Sequence, residues 1–153
     1  MQNEEILERT QEIYKPEVTY LKEFSAEFPN ANGVFSLGDT FYTAEKLNHM
    51  TSIEAQLCLN QLSYAAFARW LQERQISDLN ISLEKYLELM KENMFVINSQ
   101  IKFRKPIETN KRIKGEMKVV RTRRHGNLYL AFIEHEFEGG KEEGTLELAL
   151  KLD

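Results

Sequence analysis

The stretch Thr51-Ser52-Ile53-Glu54-Ala55-Gln56-Leu57-Cys58-Leu59-Asn60-Gln61-Leu62-Ser63-Tyr64-Ala65-Ala66-Phe67-Ala68-Arg69-Trp70-Leu71 decides the fold. It opens on the Thr-x-x-Glu pattern of a capping box. There the Thr51 hydroxyl and the Glu54 carboxylate each satisfy a backbone N–H that a helix start leaves free. The spacing predicts a helix from Thr51 to about Gln75. Ile53, Leu57, Tyr64, Phe67 and Leu71 make one apolar face, and Ala55, Leu59, Leu62, Ala66 and Trp70 make another. A helix apolar on most sides has to be wrapped by other structure. From Ala55 to Ala68 it carries no formal charge, but those fourteen residues include Gln56, Asn60 and Gln61 and are too few and too polar to span a bilayer.

Outward from this helix, Asn3 to Tyr14 reads as a short helix with Ile6, Leu7 and Ile13 at helical spacing and Pro16 as its stop. Val18–Phe28 and Gly33–Tyr42 read as two strands joined by the turn Pro29-Asn30-Ala31-Asn32-Gly33. Ser82 to about Glu92 forms a second, amphipathic helix that buries Leu83, Tyr86, Leu87 and Met90. Beyond residue 94 the apolar residues alternate: Phe95, Ile97, Ile101 and Phe103; Ile113, Met117 and Val119; Leu128, Leu130 and Phe132; Leu146, Leu148, Leu150 and Leu152. Gly126-Asn127 and Glu138-Gly139-Gly140 supply turns between them. This predicts an antiparallel meander of four strands over residues 94–153. Strands, one long buried helix and then a meander describe a single α+β domain over residues 1–153, with a curved antiparallel sheet wrapped around a central helix. Hot-dog folds have that order, whereas cone-shaped NTF2-like sheets place their helices first.

Composition agrees with one globular domain. The chain has 153 residues, 42% hydrophobic and 29% charged, with Gly 7 and Pro 3, which excludes a disordered or low-complexity chain. A lone Cys58 cannot form an internal disulfide, and the acidic start Met1-Gln2-Asn3-Glu4-Glu5 is unlike a basic leader, so the expected location is cytoplasmic. The net charge of −4 hides a segregation: residues 1–93 carry −7, residues 94–124 carry +8 and residues 125–153 carry −5. The basic block comprises Lys102, Arg104, Lys105, Lys111, Arg112, Lys114, Lys118, Arg121, Arg123 and Arg124. Two readings stay open for it, an anionic partner or a solvated sheet face balanced by acids nearby in space. Nucleic acid is not expected, because no aromatic platform is interleaved with the cations.

The candidate chemistry gathers at the start of the central helix. His49, Glu54 and Asn60 project near the end where the macrodipole is positive, a place suited to polarising a carbonyl. Glu54 already has work as the capping residue. Asn60 falls on the apolar stripe between Leu57 and Tyr64, where a buried amide costs about 1–3 kcal/mol unless paired, so it calls for a polar partner or a ligand. Gln61 points about a hundred degrees away around the helix. His125 and His135 lack metal-ligand spacing, and no metal is expected. The acids of Glu134-His135-Glu136 share one solvated strand face. Cys58 reads as core, and Tyr14, Tyr20 and Tyr42 are compatible with ordinary packing.

The run His49 to Ala68 resembles the H-x-x-x-x-E-x-x-x-C-x-N-Q-L-x-Y segment of the FcoT-like hot-dog thioesterases, and Phe103-Arg104-Lys105-Pro106-Ile107 is similar to that family's F-R-K-P-L. The resemblance reaches from about Tyr14 to the carboxyl end. It implies an enzyme acting on fatty acyl thioesters of coenzyme A or acyl carrier protein. Some members hydrolyse long-chain acyl-CoA; others add glycine to the β-carbon of a 2-enoyl carrier thioester in isonitrile lipopeptide synthesis. By the same resemblance Asn60 matches an active-site asparagine and Tyr42 a site tyrosine, with one extra residue between Tyr42 and His49. Tyr14 corresponds to a further tyrosine by local similarity. Thr51 stands where relatives have asparagine, and with Ser52 it borders the substrate. His49 or Glu54 would serve as general base, and Arg104 or Lys105 would hold the glycine carboxylate or the pantetheine phosphate. No cofactor is implied beyond the phosphopantetheine the substrate carries. A homodimer or larger homo-oligomer is implied because hot dogs pair their sheets. The alternative is a non-catalytic acyl-binding or carrier-docking module.

Overall fold

The computed structural model describes residues 1–153, in the order α1 (Asn3–Gln11), β1 (Leu21–Glu27), β2 (Asn30–Phe35), α2 (Ser52–Gln72), α3 (Leu83–Asn93), β3 (Met94–Phe103), β4 (Ile113–His125), β5 (Leu128–Phe137) and β6 (Glu142–Lys151). α2 starts with the expected capping box: Glu54 N–H donates to the Thr51 hydroxyl and Thr51 N–H donates to Glu54 Oε1 at 3.0 Å. It ends at Gln72, short of Gln75, because Arg74 takes a left-handed conformation (φ 54°). Arg74 N–H then bonds Leu71 O at 3.1 Å and Gln75 N–H bonds Trp70 O at 2.8 Å, a Schellman closure built without glycine.

All six strands form one antiparallel sheet in the order β1-β2-β4-β5-β6-β3, with α2 buried against it as a hot-dog core. The expected meander of four is therefore corrected to three, β4-β5-β6. β3 lies on the far edge, paired with β6, because α3 runs straight into it at Asn93–Met94 and delivers the chain to that side. Residues 104–112 then cross back to β4. On the way Met50 N–H bonds Ile107 O at 2.8 Å and Thr109 N–H bonds Asn48 O at 3.2 Å, tying the crossing to the approach of α2. As an edge strand β3 does not alternate as expected, and Phe95 and Ile97 are nearly half exposed.

The expected second strand Gly33–Tyr42 is also displaced. β2 begins at Asn30, only Phe28-Pro29 connects it to β1, and residues 36–48 are irregular. Gly33 was read as a turn glycine, yet it lies inside β2 directly opposite Gly115 of β4. A Cβ on either glycine would run into Phe35, and into Leu21 or Phe137 as well, so the pair leaves room for aromatic packing rather than for a turn.

The two faces of α2 fare differently. Ala55, Leu59, Leu62, Ala66 and Trp70 are buried as expected, but on the other face only Phe67 and Leu71 are, while Ile53 is 47% exposed and Leu57 and Tyr64 are half-buried. α1 and α3 roof only the carboxyl-terminal half of the helix, joined by Arg9–Glu84 at 3.2 Å and Lys91–Glu12 at 3.5 Å. No helix is long and apolar enough to cross a membrane.

Two buried polar groups complete the core. Gln61 Oε1 accepts from Tyr20 N at 2.9 Å and Leu21 N at 3.0 Å, and its Nε2 donates to Val18 O at 2.6 Å, fastening the start of β1 to α2. His135 Nδ1 lies 3.1 Å from Glu142 Oε1 with neither side chain exposed, and His135 Nε2 and Glu142 Oε2 have no partner. Gly144 makes room for this pair, because a Cβ there would overlap the Gln100 carbonyl and press on the imidazole. Gln61→Leu strands two buried backbone N–H groups and a half-buried carbonyl and is expected to lower unfolding stability by about 3 kcal/mol in urea titration. Glu142→Leu leaves a buried imidazole alone and is expected to cost about 3 kcal/mol, most of it recovered in the double variant His135→Leu/Glu142→Leu; a thermal-melt double-mutant cycle reads both.

Candidate functional site

The residues singled out by sequence fall into two groups along α2, nine residues or about 13 Å apart. At the amino end, the Tyr42 hydroxyl is hydrogen-bonded to the Thr51 hydroxyl, which also lies 3.3 Å from Glu54 Oε1. Glu54 is fully buried, its Oε1 held by Thr51 and its Oε2 unpartnered, so it caps the helix and has no path to a substrate of its own. Burial raises the Tyr42 phenol pKa; the Thr51 contact opposes this and the Glu54 carboxylate adds to it. Behind them Tyr20 is buried with an unpartnered hydroxyl, its phenol pushed up to about 12 by burial, then by Glu54, Cys58 and Tyr42. Burial likewise pushes the Cys58 thiol well up, which makes it an inert core group rather than a nucleophile.

Ser52 is exposed on the first turn, where its N–H and that of Ile53 have no carbonyl to bond within the helix, so they are free donors at the positive end. His49 is exposed, held by the backbone bridge to Glu108 beside the cap, and makes no side-chain hydrogen bond. The expected anion-holding pair opens the crossing segment: the Arg104 and Lys105 N–H groups bond Lys141 O, and from Ile107 on the segment meets the approach of α2. Arg104 is already engaged by Glu143 at 3.1 Å, which leaves Lys105, exposed and without an ion pair, as the freer cation. Elsewhere in the basic block Arg112 meets Glu23 at 3.1 Å and Arg121 stacks 4.0 Å over Phe132. On the outer face the Glu136 carboxyl is raised by partial burial and by its cross-strand neighbour Glu116. That face is a mixed, locally balanced one.

The second group centres on Asn60, half-buried as the stripe required. Gln56 Nε2 donates to Asn60 Oδ1 at 2.8 Å, and Gln56 Oε1 is bonded to the Ser99 hydroxyl of β3. The Asn60 amide nitrogen has no protein partner. Beside it a cleft of about 130 Å³ opens between α2 and the start of β3, bordered by Ser63, Tyr64, Met94, Phe95 and Val96. Ser63 is spoken for by Leu59 O at 2.7 Å, so Asn60 supplies the free polar donor. Tyr14 belongs here: its ring lies 6.4 Å from that of Tyr64, and burial, then Tyr64, raises its phenol pKa so that it stays a neutral donor. Sequence reading missed Gln56, Ser99 and Tyr64. Gln56 stands one turn before Asn60, an i,i+4 amide pair that was legible; Ser99 was not, since its partner lies 43 residues away. No three His, Cys, Asp or Glu side chains converge as metal ligands.

Known proteins share this architecture. The fold matches the dehydratase heterocomplex ApeI:P of Xenorhabdus doucetiae with TM-score 0.61 at 10% identity, covering 94% of this chain and 90% of that one. It matches a thioesterase superfamily protein of Shewanella loihica with TM-score 0.53 at 10% identity, covering 87% and 91%. In sequence the chain is 32% identical over 125 residues to a (2E)-enoyl-ACP glycyltransferase of Mycobacterium marinum, which is 78% of this chain and 67% of that protein. It is 29% identical to the protein of the same name from Mycobacterium bovis, over 78% and 68%. The family model of the FcoT-like thioesterase domain matches residues 9–150, nearly the whole sheet and all of α2, and the chain belongs to that family.

Proposed function

We propose that this chain is an enzyme that adds glycine to the β-carbon of a 2-enoyl thioester carried on an acyl carrier protein. The observation that carries the reading is the unclaimed Asn60 amide nitrogen at the mouth of an apolar cleft with no acid or base on its walls. Hydrolysis needs a group to take a proton from water, and the one buried carboxylate of α2, Glu54, is locked in its cap. An amino acid brings its own nucleophile. Glycine attacks as its neutral amine: the nitrogen lone pair bonds to the β-carbon, the π electrons move to the α-carbon through the thioester enolate, and a proton from the secondary ammonium so formed passes to the α-carbon, so nothing leaves. Asn60 donates to the thioester oxygen as negative charge develops there. Tyr42 and the free N–H groups of Ser52 and Ile53 serve the polar end of the substrate; His49, at that same end, is too far from Asn60, more than about 13 Å along α2, to take a proton at the thioester. Lys105, ahead of Arg104, holds the pantetheine phosphate. The relatives named as glycyltransferases support this choice over hydrolysis.

The site is completed by a second copy. β3 is an unprotected edge strand with Phe95, Val96 and Ile97 exposed, next to the open half of α2. A long apolar edge of this kind pairs with another strand, and its twin on a second copy is the partner proposed.

Incubation with a 2-enoyl carrier thioester and glycine is expected to give the one-to-one adduct by intact mass; release of free acid alone overturns addition in favour of hydrolysis. Asn60→Ala is expected to lower kcat by about 10²–10³-fold with a much smaller change in KM, whereas a binding module has no turnover to lose. Val96→Lys is expected to convert a dimer to a monomer by light scattering and to abolish turnover with it.

A further inference from the structure

The solvent-facing stripe of α2 runs Ile53, Gln56, Leu57, Asn60, Tyr64, spaced so that these side chains lie in one line. The line is open at its amino end and dammed at Tyr64. There the Tyr86 hydroxyl donates to Tyr64 O at 2.9 Å, the Tyr14 ring leans on the Tyr64 ring at 48°, and the next residues of the same face, Phe67 and Leu71, are buried. The roof beyond is held by the two ion pairs between α1 and α3, Arg9–Glu84 and Lys91–Glu12. The part of the cleft that one copy forms at Asn60 is correspondingly small, about 130 Å³ against the roughly 300–1,000 Å³ of ordinary ligand sites, and it is closed at Tyr64 by residues of this copy alone.

The polar end of a thioester belongs toward the start of α2, where the free N–H groups of Ser52 and Ile53 lie, so its chain must run the other way, from Asn60 toward Tyr64. Four helical residues separate the two, about 6 Å of axis. A carbon–carbon bond of about 1.5 Å advances an extended zigzag chain by only about 1.25 Å, so that is room for about five bonds. We infer that the site takes short acyl chains, of about four to six carbons, and that Tyr64, braced by Tyr14, is the stop that sets this length. The inference rests on the reading of Asn60 as the thioester contact and deepens it by naming the substrate class.

The test is binding of non-reactive alkyl-pantetheine thioethers bearing four to sixteen carbons, followed by calorimetry on the full chain. Affinity is expected to peak near six carbons and to fall by about tenfold by ten. Tyr64→Ala and Tyr14→Ala should each move that break to longer chains, while Tyr64→Phe, which keeps the ring, should leave it in place. Affinity that keeps rising through sixteen carbons, a break unmoved by both alanine variants, or no binding at any length overturns the inference. Should Tyr64→Ala fail to fold, the wild-type profile and Tyr14→Ala decide. A clear break in a protein that forms no glycine adduct leaves the chain-length stop standing and removes only the proposed reaction.

Discussion

A buried helix must dispose of its free backbone donors before anything else can be built on it, and here that constraint falls on Thr51 and Glu54. Glu54 is an ionisable side chain with no exposure at all, placed where the helix macrodipole favours negative charge and where Thr51 supplies both an N–H and a hydroxyl. The arrangement holds the amino end of α2 inside the sheet. It also takes the most obvious catalytic carboxylate out of the chemistry, because a base bound to the cap is not available to water. What remains at that end is the Thr51–Tyr42 hydroxyl pair, two uncommitted N–H groups and the exposed His49, all about three turns of helix away from Asn60.

The second determinant is that α2 is not buried equally along its length. α1 and α3 cover the carboxyl-terminal half, and β3, at the sheet edge, leaves the other half uncovered. Asn60 sits at the boundary. Its oxygen is held by Gln56, itself held by Ser99, and its nitrogen is left free. A donor fixed in orientation and half shielded from water is worth more to a developing negative charge than a mobile one on the surface.

Much of the site was legible one residue at a time. Thr51 and Glu54 announced the cap by spacing alone, and Asn60 announced itself as a polar residue on an apolar stripe. Their grouping was not legible. Glu54 and Asn60 share a helix but not a site, since nine residues of α-helix separate cap from cleft. Gln61 looked like a spare polar neighbour, and only the arrival of Val18, Tyr20 and Leu21 from 40 to 43 residues away makes it a fastening of β1. Gly33 looked like a turn because glycine permits turns; a facing glycine 82 positions on and two phenylalanines in the gap reveal the other reason for glycine, which is room.

Local pattern was enough to determine the central helix, its start and the antiparallel character of the sheet; it misread the buried face of β3 and of β5, where Tyr129, Ala131 and Ile133 rather than Leu128 and Phe132 are buried. Capping, helical periodicity and strand alternation act between residues a few positions apart, and their energies are present in any window of the chain. The order of strands, the position of β3 on the far edge, the half-roofed groove and the pairing of His135 with Glu142 were decided by tertiary structure. Those depend on which surfaces the connections can reach and on how volumes fill between distant segments, quantities no short stretch of residues contains.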